Sequence, residues 1–290
     1  MDYEGMIMRP PSEAYSLLIQ VTTGCSHNKC TFCGAYQDKK FKIKSLDIIK
    51  NDLREARNYG HVEKVFLCDG DALIIPQARL EEMLQLINAY LPSVQRIGTY
   101  ANAKSILRKS VDELKKLREL GLKIIYLGVE TGNVELLKKV QKGATYEQMV
   151  EAAKKVKQAG IILSVTVLLG LGGIEQSIEH AIDTGKILTD MDPEYVGALT
   201  VMLVPNTPLA LDYQAGKFVL PDKFGFIREL YLMIANSNFT NCFFTSNHAS
   251  NYLPIKASLP REKEKTLKMI SAVIDKEDLS RLRPESMRAL

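Results

Sequence analysis

Six short runs rich in β-branched and other apolar residues, SLLIQV, KVFLCDG, RIGTYAN, KIIYLGVE, ILSVTVLLG and YVGALTVML, recur between residues 16 and 203 and constrain the fold more than any other feature. Runs this apolar are strands covered on both faces. Between them lie stretches of helical spacing: SLDIIKNDLREARNYG, ARLEEMLQLINAY, SVDELKKLREL, TYEQMVEAAKKVKQAG and IEQSIEHAIDTGKIL. Gly60, Gly121 and Gly160 stand as helix stops. Strands and helices in alternation make βαβ units and a parallel sheet. Six such units of roughly thirty residues suit an incomplete barrel, since a full one has eight. The expected class is therefore α/β, a partial (β/α)6 TIM-like barrel, with a doubly wound sheet as the other arrangement the alternation allows.

The pattern changes after Pro205, where PNTPLALDYQAGKF leads to a helix around 222 to 236, an apolar CFFTS, the loop NHASNYLP and a last helix at 261 to 275. The expected organisation is an N-terminal segment 1–15, a barrel 16–210 and a C-terminal α/β extension 211–290 that can cap a substrate. The net charge of +4 comes from 38 basic and 34 acidic residues spread along the chain, which is no nucleic-acid footprint. No apolar run approaches the roughly 18 residues of a membrane span, and MDYEGMIMRPPSEAY lacks the parts of a signal peptide, so a cytoplasmic location is expected.

Chemistry in such folds collects at the carboxyl ends of strands, where TTGC, DGDAL, ANA, GVETG and GLGG fall. Of five cysteines, Cys25, Cys30 and Cys33 lie within nine residues as C-x4-C-x2-C, directly after the first strand. Clustered thiols suit a metal site in a reducing compartment better than a disulfide framework. Three thiolates on one loop hold three irons of a cubane and leave the fourth open to an amine and carboxylate. A tetrahedral zinc site fits the same loop if His27 or Cys68 is a fourth ligand. So does a plant-type ferredoxin cluster with Cys68 as its fourth ligand, although a small electron carrier needs neither this length nor these βα units. Cys68 and Cys242 themselves read most simply as small buried hydrophobes.

CSHNKCTFC, followed by GVET, LLKKVQKGAT and VLLGLGG, resembles the radical S-adenosylmethionine (SAM) superfamily over about residues 16 to 210. That family's usual loop is C-x3-C-x2-C, and this one has an additional residue among Ser26, His27, Asn28 and Lys29. The resemblance implies a [4Fe–4S] cluster on Cys25, Cys30 and Cys33, SAM as the second cofactor, and an electron donor such as flavodoxin or ferredoxin. It also implies reductive cleavage of SAM to a 5′-deoxyadenosyl radical that abstracts hydrogen from a substrate the sequence does not name. An iron–sulfur electron-transfer protein and a non-catalytic cluster or haem carrier are the other classes such a fold admits.

The resemblance also distributes the SAM contacts. It places Phe32 near the adenine, Asp69-Gly70-Asp71 at the ammonium, Glu130 at a ribose hydroxyl and Lys142 near the carboxylate. Gly170, with Leu171 and Gly172, and Met202, with Val204, line the adenine side. Asn102 joins the pocket, while the neighbouring Tyr100 stands where some relatives have an acid. Each residue also has an ordinary role open to it: turn former, helix-cap acid, solvated lysine or core packing. The sequence shows no second cysteine triplet for an auxiliary cluster and only about 15 residues before the first strand, so neither a two-cluster nor a cobalamin-dependent enzyme is the expectation. The run KKFKIK is either a solvated loop or a contact for an anionic substrate. If CFFTS continues the barrel order, the following loop emerges on the cluster's face, and Asn247 and His248 contact substrate.

Overall fold

The computed structural model describes residues 1–289. The chain begins with β1 (Leu17–Gln20), the short β2 (Thr22–Thr23) and β3 (Lys42–Ile43), and then α1 (Leu46–Ala56). It continues through β4 (Lys64–Cys68), α2 (Gln77–Tyr90), β5 (Arg96–Ala101), α3 (Ala103–Leu107), α4 (Val111–Glu119) and β6 (Leu122–Glu130). Next come α5 (Val134–Lys139), α6 (Tyr146–Gln158), β7 (Ile162–Leu169), α7 (Ser177–Met191) and β8 (Tyr195–Thr200). The last elements are α8 (Pro208–Gln214), α9 (Lys223–Ala235), β9 (Cys242–Thr245), β10 (Lys256–Leu259) and α10 (Lys263–Asp275). The six runs read as strands are β1, β4, β5, β6, β7 and β8, and the three stop glycines all have positive φ. Two compact units share the chain: Met1–Asn28, Ala35–Leu127 and Glu151–Leu163 form the first; Lys29–Gly34, Gly128–Val150 and the remainder from Ser164 form the second.

In the first unit β1, β4, β5 and the start of β6 run parallel, with Leu17 opposite Val65, Lys64 opposite Arg96 and Thr99 opposite Ile125. Helices α1, α2 and α4 bury stripes at three- and four-residue spacing, Ile49–Leu53, Leu80–Leu84–Ile87 and Leu114–Leu117, as amphipathic helices do. The ends of α1 and α4 are fixed locally: Ser45 caps α1, and Ser110 and Glu113 close a capping box on α4.

One strand face gathers Phe66, Cys68, Ile124 and Tyr126 against Ile7, Leu18 and Tyr100. Phe66 meets Tyr100 and Tyr126 edge-on, at centroid distances of 5.1 and 5.7 Å. The N-terminal segment seals this face. Glu13, with no exposed surface, takes Arg96 Nη2 on both oxygens at 2.7 and 2.8 Å and the hydroxyls of Ser16 and Tyr126 at 2.5 Å. A carboxylate this buried requires both the opposite charge and the filled lone pairs. The KKFKIK run is committed to the same clamp: Lys42 pairs with Glu4 and Lys44 with Asp2, each at 2.8 Å, while Lys39 reaches Asp69 at 3.1 Å. The run is solvated only in part: Lys40 and Lys42 are exposed, whereas the Lys39 and Lys44 side chains are buried.

In the second unit β7, β8 and β9 are parallel, with Ser164 opposite Tyr195 and Tyr195 opposite Phe243. CFFTS thus extends the ladder beyond residue 210, and β10 closes it antiparallel to β9. The two-sided burial expected of every strand does not hold here. Along β7 and β8 buried residues alternate with half-buried ones, because one face is packed while Ser164, Thr166, Leu168, Gly197 and Leu199 on the other stay partly open. Among the described residues no helix is long and apolar enough to cross a membrane.

Candidate functional site

The site residues read from the sequence fall into two groups, one in each unit. In the first, the antiparallel pair β2–β3, with Thr22 opposite Ile43, closes the base of the cysteine loop. Asp69, at the end of β4, then fastens the loop's first residues. Its Oδ2 accepts from Gly24 N–H and Gln20 Nε2, both at 3.0 Å, and from Lys39 Nζ at 3.1 Å. Gly70 N–H adds a bond to Gly24 O at 3.1 Å. Asp71 accepts from Ser26 Oγ (2.5 Å), Ser105 Oγ (2.6 Å), Asn102 N–H (3.2 Å) and Asn102 Nδ2 (3.1 Å). Burial pushes the Asp71 carboxyl up, and these four bonds hold it back. Asn102 Nδ2 also lies 3.8 Å from Cys25 Sγ. Asp69, Gly70, Asp71 and Asn102 are thus brought together around Gly24–Ser26, the backbone that presents Cys25. The second Asp69 oxygen, Oδ1, is buried and has no hydrogen-bond partner.

Cys68 lies in the apolar cluster, where its thiol donates to Phe66 O at 3.7 Å and burial pushes its pKa up. A buried thiol kept protonated is a poor metal ligand.

In the second unit Cys30 to Cys33 form a tight turn closed by Cys33 N–H to Cys30 O at 3.2 Å. Thr31 anchors that turn on both sides, donating to Val140 O and accepting from Leu209 N–H, each at 3.0 Å. Gly34 follows because a Cβ there would collide with Val204. Phe32 is half-buried. At the end of β6, Glu130 has left-handed backbone (φ 67°) and its Oε1 accepts from Lys142 Nζ at 2.7 Å. Both side chains are close to nine-tenths buried, and Gly128 leaves the room a Cβ would take from them. The two residues read as separate SAM contacts therefore form one ion pair.

Behind them lies a polar network the sequence reading missed. Thr131 Oγ1 lies 2.8 Å from His180 Nδ1, and His180 Nε2 lies 2.9 Å from Leu168 O. Glu229 accepts from Gly170 N–H at 2.5 Å and from Ser177 Oγ at 2.6 Å. Burial lowers His180 to about 4 and raises Glu229 to about 7, so both are neutral near pH 6. The signal was present: Glu229 interrupts the buried stripe of α9 between Phe226 and Met233.

The loop after β9 is tied to the end of β8. Thr200 donates its N–H to Ser250 Oγ (3.1 Å) and its hydroxyl to Asn251 Oδ1 (2.9 Å), and Asn251 Nδ2 donates to Ala198 O (2.8 Å). His248, half-buried, accepts Ser250 N–H on Nδ1 at 3.1 Å, while Asn247 is exposed. Burial and the Arg283 charge lower the His248 pKa. Met202, two residues past β8, receives Arg288 Nη2 on its sulfur at 3.1 Å.

Cys25, Cys30 and Cys33 are half-buried and none is in a disulfide, a soft donor set suited to an iron–sulfur cluster. Among the described residues no three His, Cys, Asp or Glu side chains are gathered as a preformed metal site.

Fold and loop together define an α/β protein of the partial-barrel type, with a three-cysteine loop after its first parallel strand. Residues 19–185 match the Radical SAM superfamily, and the chain belongs to it. The family binds a [4Fe–4S] cluster and SAM. The chain is 26% identical to 3-methylornithine synthase of Methanosarcina barkeri over 66% of its own length and 52% of that protein's. It is 23% identical to the heme chaperone HemW of Bacillus subtilis, over 55% of this chain and 42% of that one. With the uncharacterized protein MJ0486 of Methanocaldococcus jannaschii it shares 25% identity, over 70% and 66% of the two chains. It therefore spans less than two thirds of each of these relatives. In structure it resembles coproporphyrinogen III oxidase of Escherichia coli, with TM-score 0.59 and 19% identity over 76% of this chain and 51% of that one. Methylornithine synthase gives TM-score 0.54 and 23% identity over 77% and 63%.

Proposed function

We propose that this chain is an enzyme that reductively cleaves SAM at a [4Fe–4S] cluster held by Cys25, Cys30 and Cys33. The observation that carries this reading is the position of three half-buried cysteines, none in a disulfide, on one nine-residue loop within the family match. When bound, cluster and SAM supply one-electron cleavage of the sulfonium and a 5′-deoxyadenosyl radical for hydrogen abstraction.

The chain's own residues bind and orient. Asp69 and Asp71 fix the backbone that carries Cys25, and Asp69 Oδ1 is an acceptor suited to the SAM ammonium. Glu130 takes a ribose hydroxyl, and Lys142, its ion-pair partner, the SAM carboxylate. Phe32, Gly170 and Met202 line the adenine, and Asn247 and His248 contact substrate. A flavodoxin or ferredoxin in the cytoplasm supplies the electron.

Iron and sulfide counts on anaerobically reconstituted protein test the ligand set. Cys25→Ala, Cys30→Ala and Cys33→Ala should each lose the cluster, while Cys68→Ala keeps it. Loss of the cluster in Cys68→Ala would instead support the ferredoxin-type site. A second reading, a haem or cluster carrier without turnover, is favoured by the likeness to a heme chaperone.

A further inference from the structure

Arg288 is buried with 6% of its side chain exposed, and its five N–H groups are unequally served. Nε donates to Ser250 O at 2.7 Å, and Nη1 to Tyr252 OH and Glu285 Oε1 at 2.6 and 2.7 Å. Nη2 is directed at Met202 Sδ, 3.1 Å away, a thioether and thus a weak acceptor. Leaving one edge of a buried guanidinium without an oxygen is costly unless a ligand supplies it. The surrounding charge has the sign to attract one. Lys223 Nζ lies 5.9 Å and the Arg288 guanidinium 4.1 Å from the Tyr252 ring centroid. The Arg283 guanidinium donates through Nη1 to the carbonyls of His248 and Asn251, at 2.6 and 2.8 Å. Among the described residues, Arg288, Arg283 and Lys223 lie around this loop and the carboxylate bonded there is that of Glu285. Met202 is itself near the cysteine turn, since Val204, two residues beyond it, packs on Gly34 beside Cys33.

We propose that Arg288, assisted by Lys223, binds an oxyanion of the substrate, a carboxylate or phosphate, beside Met202. This rests on the radical SAM reading for the nature of the neighbouring site, and it names the class of substrate: an anionic molecule. The SAM carboxylate is the other possible source of such an oxygen, and the test separates the two.

The test measures inorganic phosphate binding to cluster-reconstituted, SAM-loaded protein by 31P line broadening, with SAM affinity measured alongside. The parent should bind phosphate saturably. Arg288→Gln should weaken that binding about tenfold or more, and Lys223→Met severalfold, as expected for losing one charged hydrogen bond or one nearby charge. Because Arg288 also holds the loop, Lys223→Met is the control that keeps the fold, and its SAM affinity should match the parent's. Equal phosphate binding in all three proteins, or none in the parent, overturns the proposal. So does a loss of SAM affinity in Lys223→Met, which would give the subsite to SAM. Phosphate binding in protein that never cleaves SAM would leave the anion subsite standing while the catalytic reading fails.

Discussion

Glu130 Oε1, at the end of β6, and Lys142 Nζ lie 2.7 Å apart as a nearly buried ion pair. If both also contact SAM, removing either one costs a ligand contact and also strands its partner's charge. Glu130→Ala and Lys142→Met should each raise the SAM dissociation constant roughly ten- to hundredfold, equivalent to about 1.5–3 kcal/mol, and leave the cluster intact. The double variant should lose less than the sum, since a buried charge is no longer left alone. Isothermal titration of all four proteins closes the cycle; additive losses would show that the pair acts on SAM as two independent contacts.

Asp71 gathers four donors from Ser26, Asn102 and Ser105, so its role is first to hold the cysteine loop. Asp71→Ala leaves buried Ser105 and half-buried Asn102 without this acceptor, at about 1–3 kcal/mol for each donor that water cannot reach, while exposed Ser26 turns to solvent. A fall of roughly 3 kcal/mol in unfolding free energy, read from the denaturant midpoint, is the expected outcome, together with poorer cluster retention. Stability within about 0.5 kcal/mol of the parent would show that the network holds nothing.

Glu229 and His180 give the protein a pH signature. Glu229 is raised to about 7 from 4.5, so between those values the unfolded chain releases its proton first and stability falls as pH rises. His180 is lowered to about 4 from 6.5, so the unfolded chain takes its proton first and stability falls as pH drops through that range. Between 4.5 and 6.5 the two slopes oppose each other, and their joint contribution is flat. Glu229→Gln should therefore become more stable with rising pH across that window, by at most about 1.4 kcal/mol per pH unit, and His180→Asn less stable. Urea midpoints at several pH values decide this, and two variants that both follow the parent's profile would contradict it.

Much of this was legible in the sequence for definite reasons. Six strands and the helices between them follow from apolar period, and the cysteine loop from spacing alone. The partners of charged residues were not legible, because they depend on distant elements. Lys44 looked like part of a solvated run, yet it is fully buried on Asp2, forty-two residues earlier. Glu130 and Lys142 were each read toward a ligand, and nothing in a one-dimensional pattern says they meet. Arg288 had no motif at all; only the fold brings it to Met202.

His248 is held through Nδ1, which accepts Ser250 N–H at 3.1 Å and lies 2.9 Å from Ser250 Oγ. His248→Ala should leave SAM cleavage without substrate, and the cluster, at parent levels while lowering product formation once a substrate is in hand. A parallel fall in cleavage, turnover and thermal stability would make the residue structural.

The most direct measurement is a search for 5′-deoxyadenosine after the anaerobically reconstituted protein is reduced with dithionite in the presence of SAM. The expected result is about four irons and four sulfides per chain, an EPR signal that changes when SAM is added, and 5′-deoxyadenosine with methionine, all absent from Cys30→Ala. An intact cluster that yields no 5′-deoxyadenosine would contradict the account and leave a carrier on the same fold.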